Sequence, residues 1–185
     1  MVLPFSKEII FDFPRQSLGD RLCLPDFTHP NSDSGDNVAL FVVTIGKGVR
    51  EEAERLKENG EYLKCHILQA LALESAEGYA ELLHTQMRRM WGYADSIDTT
   101  MLQRFQAKYR GKRYSFGYPA CPELADQRKL FEVLNPEEIG VSLTEGDMMD
   151  PEASVSALVF HHPQASYFSV GIDSESSDIT ERITA

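Results

Sequence analysis

The residues with the most chemical potential lie in one run, Arg113-Tyr114-Ser115-Phe116-Gly117-Tyr118-Pro119-Ala120-Cys121-Pro122. Arg113 offers a planar, permanently charged fork that suits a carboxylate or a phosphate. The two prolines and the glycine cannot continue a helix or a central strand. The tyrosines, phenylalanine and cysteine make the run too apolar for a solvated linker. It is predicted as an irregular, partly buried loop of few conformations, able to aim backbone N–H and C=O groups at a ligand. The same composition also suits a rigid turn that merely joins two elements. Nothing around Cys121 points to a lowered thiol pKa, so it reads as a packing residue.

The five histidines offer no further chemistry. His66 and His84 lie eighteen residues apart on one predicted helix, about 27 Å along its axis, and cannot share a metal. His161-His162 stands before Pro163 at a predicted strand end, an ordinary surface position. Structural roles are expected for all five. No nucleophile–base pair, metal spacing or phosphate loop is present, and neither a catalytic residue nor a metal ligand is predicted.

Short apolar pieces near the N-terminus, Ile9–Phe13 and Leu22–Leu24, suggest edge strands or an extended arm, and 31–37 reads as a loop. Val38–Ile45 is a nearly continuous apolar run rich in β-branched residues, predicted as a strand covered on both faces. A short charged helix should follow from Val49 to Gly60, then a long one from Tyr62 to Trp91. Along the long helix Cys65, Leu68, Leu71, Ser75, Tyr79, Leu82, Gln86 and Met90 step down one side, the predicted buried face. A further helix is expected over Thr100–Tyr109 and another from Pro122 to Leu134. Val141–Glu145, Val155–His161 and Tyr167–Ile172 read as strands, the last two joined as a hairpin through Pro163-Gln164-Ala165. The predicted fold is α+β: a twisted, largely antiparallel sheet with packed helices, one of them long. Residues 1–36 form an N-terminal arm and loop, 37–172 the main domain, and 173–185 an acidic, mobile tail.

The 185 residues suit one domain with a real hydrophobic core. A net charge of −11 argues against nucleic acid as a partner. Three scattered cysteines form neither a disulfide framework nor a zinc site. With no apolar run of membrane length and no leader pattern, a soluble cytoplasmic protein is expected.

The motif Arg-x-x-x-Gly-Tyr-Pro-Ala-Cys-Pro resembles the signature of the activation domain of cobalamin-dependent methionine synthase, which binds S-adenosylmethionine. Matching pieces flank it: Ala76-Glu77-Gly78-Tyr79-Ala80-Glu81-Leu82-Leu83-His84 and Trp91-Gly92 upstream, Ser154-Val155-Ser156-Ala157, His162-Pro163 and Tyr167-Phe168 downstream. The resemblance covers roughly residues 37 to 170. It implies that Arg113 partners the ligand's carboxylate and that Ser115, Gly117, Tyr118, Pro119 and Ala120 contact the adenosine. It also implies that Tyr167 and Phe168 close the site and that Glu77 faces the corrin. The implied cofactors are S-adenosylmethionine and a cobalamin carried by the cobalamin-binding domain of methionine synthase. The implied function is reductive reactivation within methionine biosynthesis. Flavodoxin or a similar donor reduces cob(II)alamin, and the methyl group of S-adenosylmethionine traps the product as methylcobalamin. Two departures stand out. Alanine is frequent in the family where Ser115 stands, and an upstream aspartate that contacts the ligand's amine finds no counterpart here.

Positioning, rather than acid–base chemistry, is then the task of this piece, which carries no complete active site. Two other readings stay open: a free-standing S-adenosylmethionine-binding module without chemistry, and an independent methyltransferase. Against the second, Val42-Val43-Thr44-Ile45-Gly46-Lys47-Gly48 only weakly imitates the Gly-rich turn of a Rossmann-type enzyme.

Overall fold

A computed structural model describes residues 9–29, 36–171 and 180–184, the last five by backbone only. Its centre is the strand β6, Ser154–Phe160, every residue of which is buried. β2, Ala39–Thr44, and β3, Lys112–Tyr114, flank it in the order β2-β6-β3, both antiparallel to it. Side chains alternate across a strand, so β6 serves two layers at once. Val155, Ala157 and Val159 join Phe41 and Val43 under the long helix, α2, Tyr62–Met90. Leu158 and Phe160 face a second core built from Phe11, Phe13, Leu24, Phe27, Tyr114, Phe116 and Leu130. The sheet is covered on both sides, as the unbroken apolar run at 38–45 predicts.

α2 forms because twenty-nine residues rich in Ala, Leu, Glu and Gln contain no proline. The predicted stripe holds at Cys65 and the half-buried Leu68 but not beyond them. Cys65, Ala72, Ala76, Ala80, His84 and Arg88 are buried, whereas Leu71 is 60% exposed and Met90 82%. Tyr79 and Leu82 are exposed as well. Periodicity read from large apolar residues picks the bulkier side. Close packing on a sheet instead selects the alanine stripe, which lets the helix backbone approach the strands.

The shorter elements follow their sequence signals with some corrections. α1, Val49–Glu58, packs against the start of α2. The helix expected over Thr100–Tyr109 is a single capped turn and a half, α3, Met101–Phe105, begun by Thr100 and Gln103 as reciprocal caps. After Pro122 the chain makes a tight turn at Leu124–Asp126 before α4, Gln127–Leu134. Val141–Glu145 yields only the two-residue strand β4, Ser142–Leu143, paired with β5, Met149–Asp150.

Tyr167–Ile172 is not a strand over its described residues, and no hairpin with β6 forms. Its backbone is engaged elsewhere. Val170 N–H donates to the Pro119 carbonyl at 2.9 Å, and just before the stretch Ser166 C=O accepts from the Tyr114 hydroxyl at 2.7 Å.

The two ends belong to the same body as the rest. β1, Ile10–Pro14, inserts Phe11 and Phe13 into the second core. Leu22–Leu24 gives no strand but leads into a tight helical turn at Leu24–Phe27. Thr180–Thr184, read as part of a mobile tail, is β7, antiparallel to β1. Of the loop expected at 31–37 only 36 and 37 are described.

Gly46-Lys47-Gly48 does link a strand to a helix, but β2 is antiparallel to its neighbour. With no parallel pair among the described strands, a Rossmann-type crossover is absent there. No helix among the described residues is long and apolar enough to cross a membrane.

Candidate nucleoside–carboxylate groove

β3 is the element that aims the site. Arg113, its middle residue, pairs with Val159 and so projects from the α2 face of the sheet. Tyr114, one step on, points into the opposite core. Gly111 makes this possible, because a Cβ there would lie 2.5 Å from the Phe160 carbonyl oxygen.

Beyond β3 the chain folds into a tight loop. Gly117 N–H donates to Cys121 C=O and Cys121 N–H to Tyr118 C=O, both at 2.8 Å. Gly117 sits at φ +81°, a left-handed conformation that favours glycine, and a Cβ would meet Leu124 at 3.2 Å. The loop is therefore a rigid shelf, and the Val170–Pro119 hydrogen bond ties the downstream aromatic segment to it.

Shelf, strand and aromatic segment enclose a groove of about 360 Å³, within the range of small-molecule sites. Arg113, Ser115, Tyr118, Pro119, Ala120, Tyr167, Phe168 and Glu77 all line it, together with Tyr114 and Cys121. Gly117 is the one proposed site residue that does not. Its part is to set the turn. Tyr118 and Tyr167 stand exposed at the mouth. Phe168 leans back onto Phe27 and Tyr114. The Ser115 hydroxyl donates to Ser156 C=O at 2.7 Å, so this hydroxyl anchors the groove wall to β6. A second cavity of about 300 Å³ lies between α1 and α2, beside Cys65, Gln69 and Pro151, and holds none of the motif residues.

Among the residues that line the groove, Arg113 is the cation and Glu77 the carboxylate. Arg113 Nη2 donates to Glu77 Oε2 at 3.0 Å. Burial opposes the Arg113 charge, but the Glu77 carboxylate outweighs it and holds the guanidinium above its usual pKa. One helical turn along α2, Glu81 accepts from the Tyr109 hydroxyl at 2.8 Å. The buried Arg88 stacks 3.6 Å over the Tyr109 ring and grips Asp95 with two hydrogen bonds of 2.7 Å. This network fixes the approach to β3 against the helix.

Burial pushes the Cys121 thiol up, with Asp126 and Glu123 adding to the shift, which agrees with a packing role. Among the described residues no cluster of three His, Cys, Asp or Glu is placed to hold a metal ion. The groove has a cation at one end, a rigid shelf in the middle and aromatic rings at the rim.

The sequence matches the family described as "Vitamin B12 dependent methionine synthase, activation domain" over residues 12–182. The chain belongs to this family. The match takes in most of β1 and most of β7, beyond the 37–170 that the motifs alone carried. Methionine synthase of Mycobacterium tuberculosis (strain ATCC 25618 / H37Rv) is 35% identical over 86% of this chain, and that of Mycobacterium leprae (strain TN) 32% over the same share. The chain spans 14% of the length of these curated relatives. Among solved structures, a crystal structure of the MetH reactivation domain bound to AdoHcy matches with a TM-score of 0.76 and 28% identity. That match covers 88% of this chain and 60% of the other.

The activation domain's sequence hid two parts of its groove. Tyr114 and Cys121 lie inside the motif, yet only the loop geometry shows that they line it. The Tyr109–Glu81–Arg88–Asp95 network joins positions up to 28 apart in sequence. Its one local trace is the matched spacing of Glu77 and Glu81 with Tyr109 and Arg113.

Proposed function

We propose that this activation domain binds S-adenosylmethionine in the Arg113 groove and presents its methyl group to a cobalamin held by another domain of methionine synthase. The observation that carries this reading is the convergence of Arg113, the 118–121 shelf and Tyr167 on one groove. It occurs in a chain whose structural neighbour is bound to AdoHcy, the demethylated form of the same ligand.

Arg113 takes the ligand's carboxylate through charge-assisted hydrogen bonds. The shelf from Tyr118 to Ala120 lies under the adenosine, with Phe168 behind it. Ser115 contributes through its backbone, because its hydroxyl is engaged with Ser156. Tyr167 and Tyr118 border the mouth and leave the sulfonium methyl facing outward. An enclosing pocket would defeat the task, because the methyl acceptor arrives from a different domain. Glu77, at the same rim, faces the corrin.

A cobalamin held by the partner domain would supply the methyl acceptor, with flavodoxin or a similar protein as its electron donor. The contribution of this chain is to hold and orient the methyl donor. No proton need be moved.

Isothermal titration calorimetry of the chain with S-adenosylmethionine and with S-adenosylhomocysteine tests the reading. Saturable one-to-one binding of both is expected, with the affinity of an open groove. Absence of binding at millimolar ligand overturns it.

A further inference from the structure

The cation meant for the ligand already has a partner. Among the described residues the Arg113 side chain makes one hydrogen bond, to Glu77 at 3.0 Å, and the Glu77 side chain makes no other. The two groups are held very differently. The Arg113 side chain is 18% exposed, fixed in the groove wall by β3, while the Glu77 side chain, on the flank of α2 beside β3, is 54% exposed. Glu81, a turn further on, is tied down by both Tyr109 and Arg88. Glu77 has no such ties and is free to change rotamer.

We infer that Glu77 is an internal competitor for Arg113, which a ligand's carboxylate must displace, and that Glu77 thereby sets both the affinity of the groove and its selectivity for carboxylate-bearing ligands. The inference rests on the groove being the S-adenosylmethionine site. A second carboxylate brought to Arg113 lies within a few ångströms of the first, and like charges at that distance repel. The exposed, loosely held partner is the one that yields. Displaced, Glu77 turns toward the mouth, where a docking partner meets it. Linkage then makes the exchange reciprocal: any donor group that engages the released Glu77 tightens ligand binding by the same factor by which the ligand tightens that contact.

Competition predicts a sign opposite to that of an ordinary contact residue. Removing a residue that helps to bind the ligand weakens binding. Removing a competitor strengthens it. An exposed ion pair contributes little, so the expected gain is about two- to five-fold, with alanine at the upper end because glutamine can still accept a weak hydrogen bond from Arg113.

The test is calorimetric titration of the full chain, wild type, Glu77→Gln and Glu77→Ala, with two compounds. One is S-adenosylhomocysteine, which carries the carboxylate. The other is 5′-methylthioadenosine, which lacks the amino-acid end. Both variants should bind S-adenosylhomocysteine about two- to five-fold tighter than wild type and 5′-methylthioadenosine equally well. The gain should shrink in 0.5 M salt, about where exposed pairs are screened. Unchanged or weaker binding of S-adenosylhomocysteine by the variants overturns the inference, as does an equal shift for both compounds. Wild-type protein that binds neither compound overturns the groove reading itself.

Discussion

Arg113→Ala removes the only cation that lines the groove among the described residues, and its consequences can be worked through term by term. Hydrogen bonds to a charged group contribute about 1.5–3 kcal/mol. At 1.4 kcal/mol per tenfold change, the dissociation constant for S-adenosylhomocysteine should rise by about 10- to 150-fold. The lower part of that range is expected, because Arg113 must first exchange Glu77 for the ligand. The fold should tolerate the change. Glu77 is more than half exposed and is rehydrated when its partner leaves, so the lost pair costs at most about 1 kcal/mol. The packing of the Arg113 stem against the groove wall adds to this. Calorimetric titration supplies the affinities and circular dichroism the fold. 5′-Methylthioadenosine is the internal control and should bind wild type and variant alike. Arg113→Lys keeps the charge but not the fork and should fall between the two. Wild-type affinity for S-adenosylhomocysteine in a folded Arg113→Ala protein would remove Arg113 from the site.

Gly117→Val places a β-branched residue at φ +81° against Leu124, a strain of about 1–3 kcal/mol. The shelf must distort, so binding of both nucleosides should be lost while far-UV circular dichroism stays close to wild type. Normal binding would show that the loop is only a connector. His84 is fully buried and its pKa is lowered to about 3, by burial first, then by Arg88, Arg113 and Lys112, with Asp95 opposing. Its folded pKa lies below its unfolded value of about 6.5, so the unfolded chain takes up the proton first. Stability is therefore full above about pH 6.5 and falls by up to about 1.4 kcal/mol per pH unit below it. Urea unfolding at pH 7.5, 6 and 5 should show this slope, and His84→Leu should remove most of it between pH 6.5 and 5. Asp95→Ala leaves the wholly buried Arg88 with only Glu81, at 3.4 Å, as a charged partner. It should cost about 3–5 kcal/mol in the same assay, and a loss under 1 kcal/mol would contradict the network.

The legible parts of this chain are those encoded locally. The apolar run at 38–45 and the proline-free stretch of α2 each carry their structure in adjacent residues, and each is where it was expected; the Arg113–Pro122 run is a loop only from Ser115 on, because Arg113 and Tyr114 pair with β6 as the end of β3, a strand the sequence did not announce. The buried face of α2 was misread because hydrophobic periodicity weighs side-chain size. Ala76 and Ala80 are chosen for close approach to the sheet, a property of the partner surface. The stretch at Tyr167 has the alternation of a strand, yet its backbone partner is Pro119, and that of Ser166 just before it is Tyr114, some fifty residues away. Propensity cannot report a competing long-range acceptor. Thr180–Thr184 looked like tail because the strand it pairs with, β1, lies at the other end of the chain. In the site, the motif named most of the groove's lining residues. The Glu77–Arg113 contact exists only once α2 has been laid across the sheet beside β3.

A crystal structure of this chain with S-adenosylhomocysteine bound tests the central claim most directly. The account predicts the carboxylate on Arg113, the adenosine on the Tyr118–Ala120 shelf beside Phe168, and the sulfur at the open mouth near Tyr167 and Tyr118. Glu77 should have turned away from Arg113. A ligand in the cavity between α1 and α2, or one sealed from solvent with its sulfur directed inward, would contradict it.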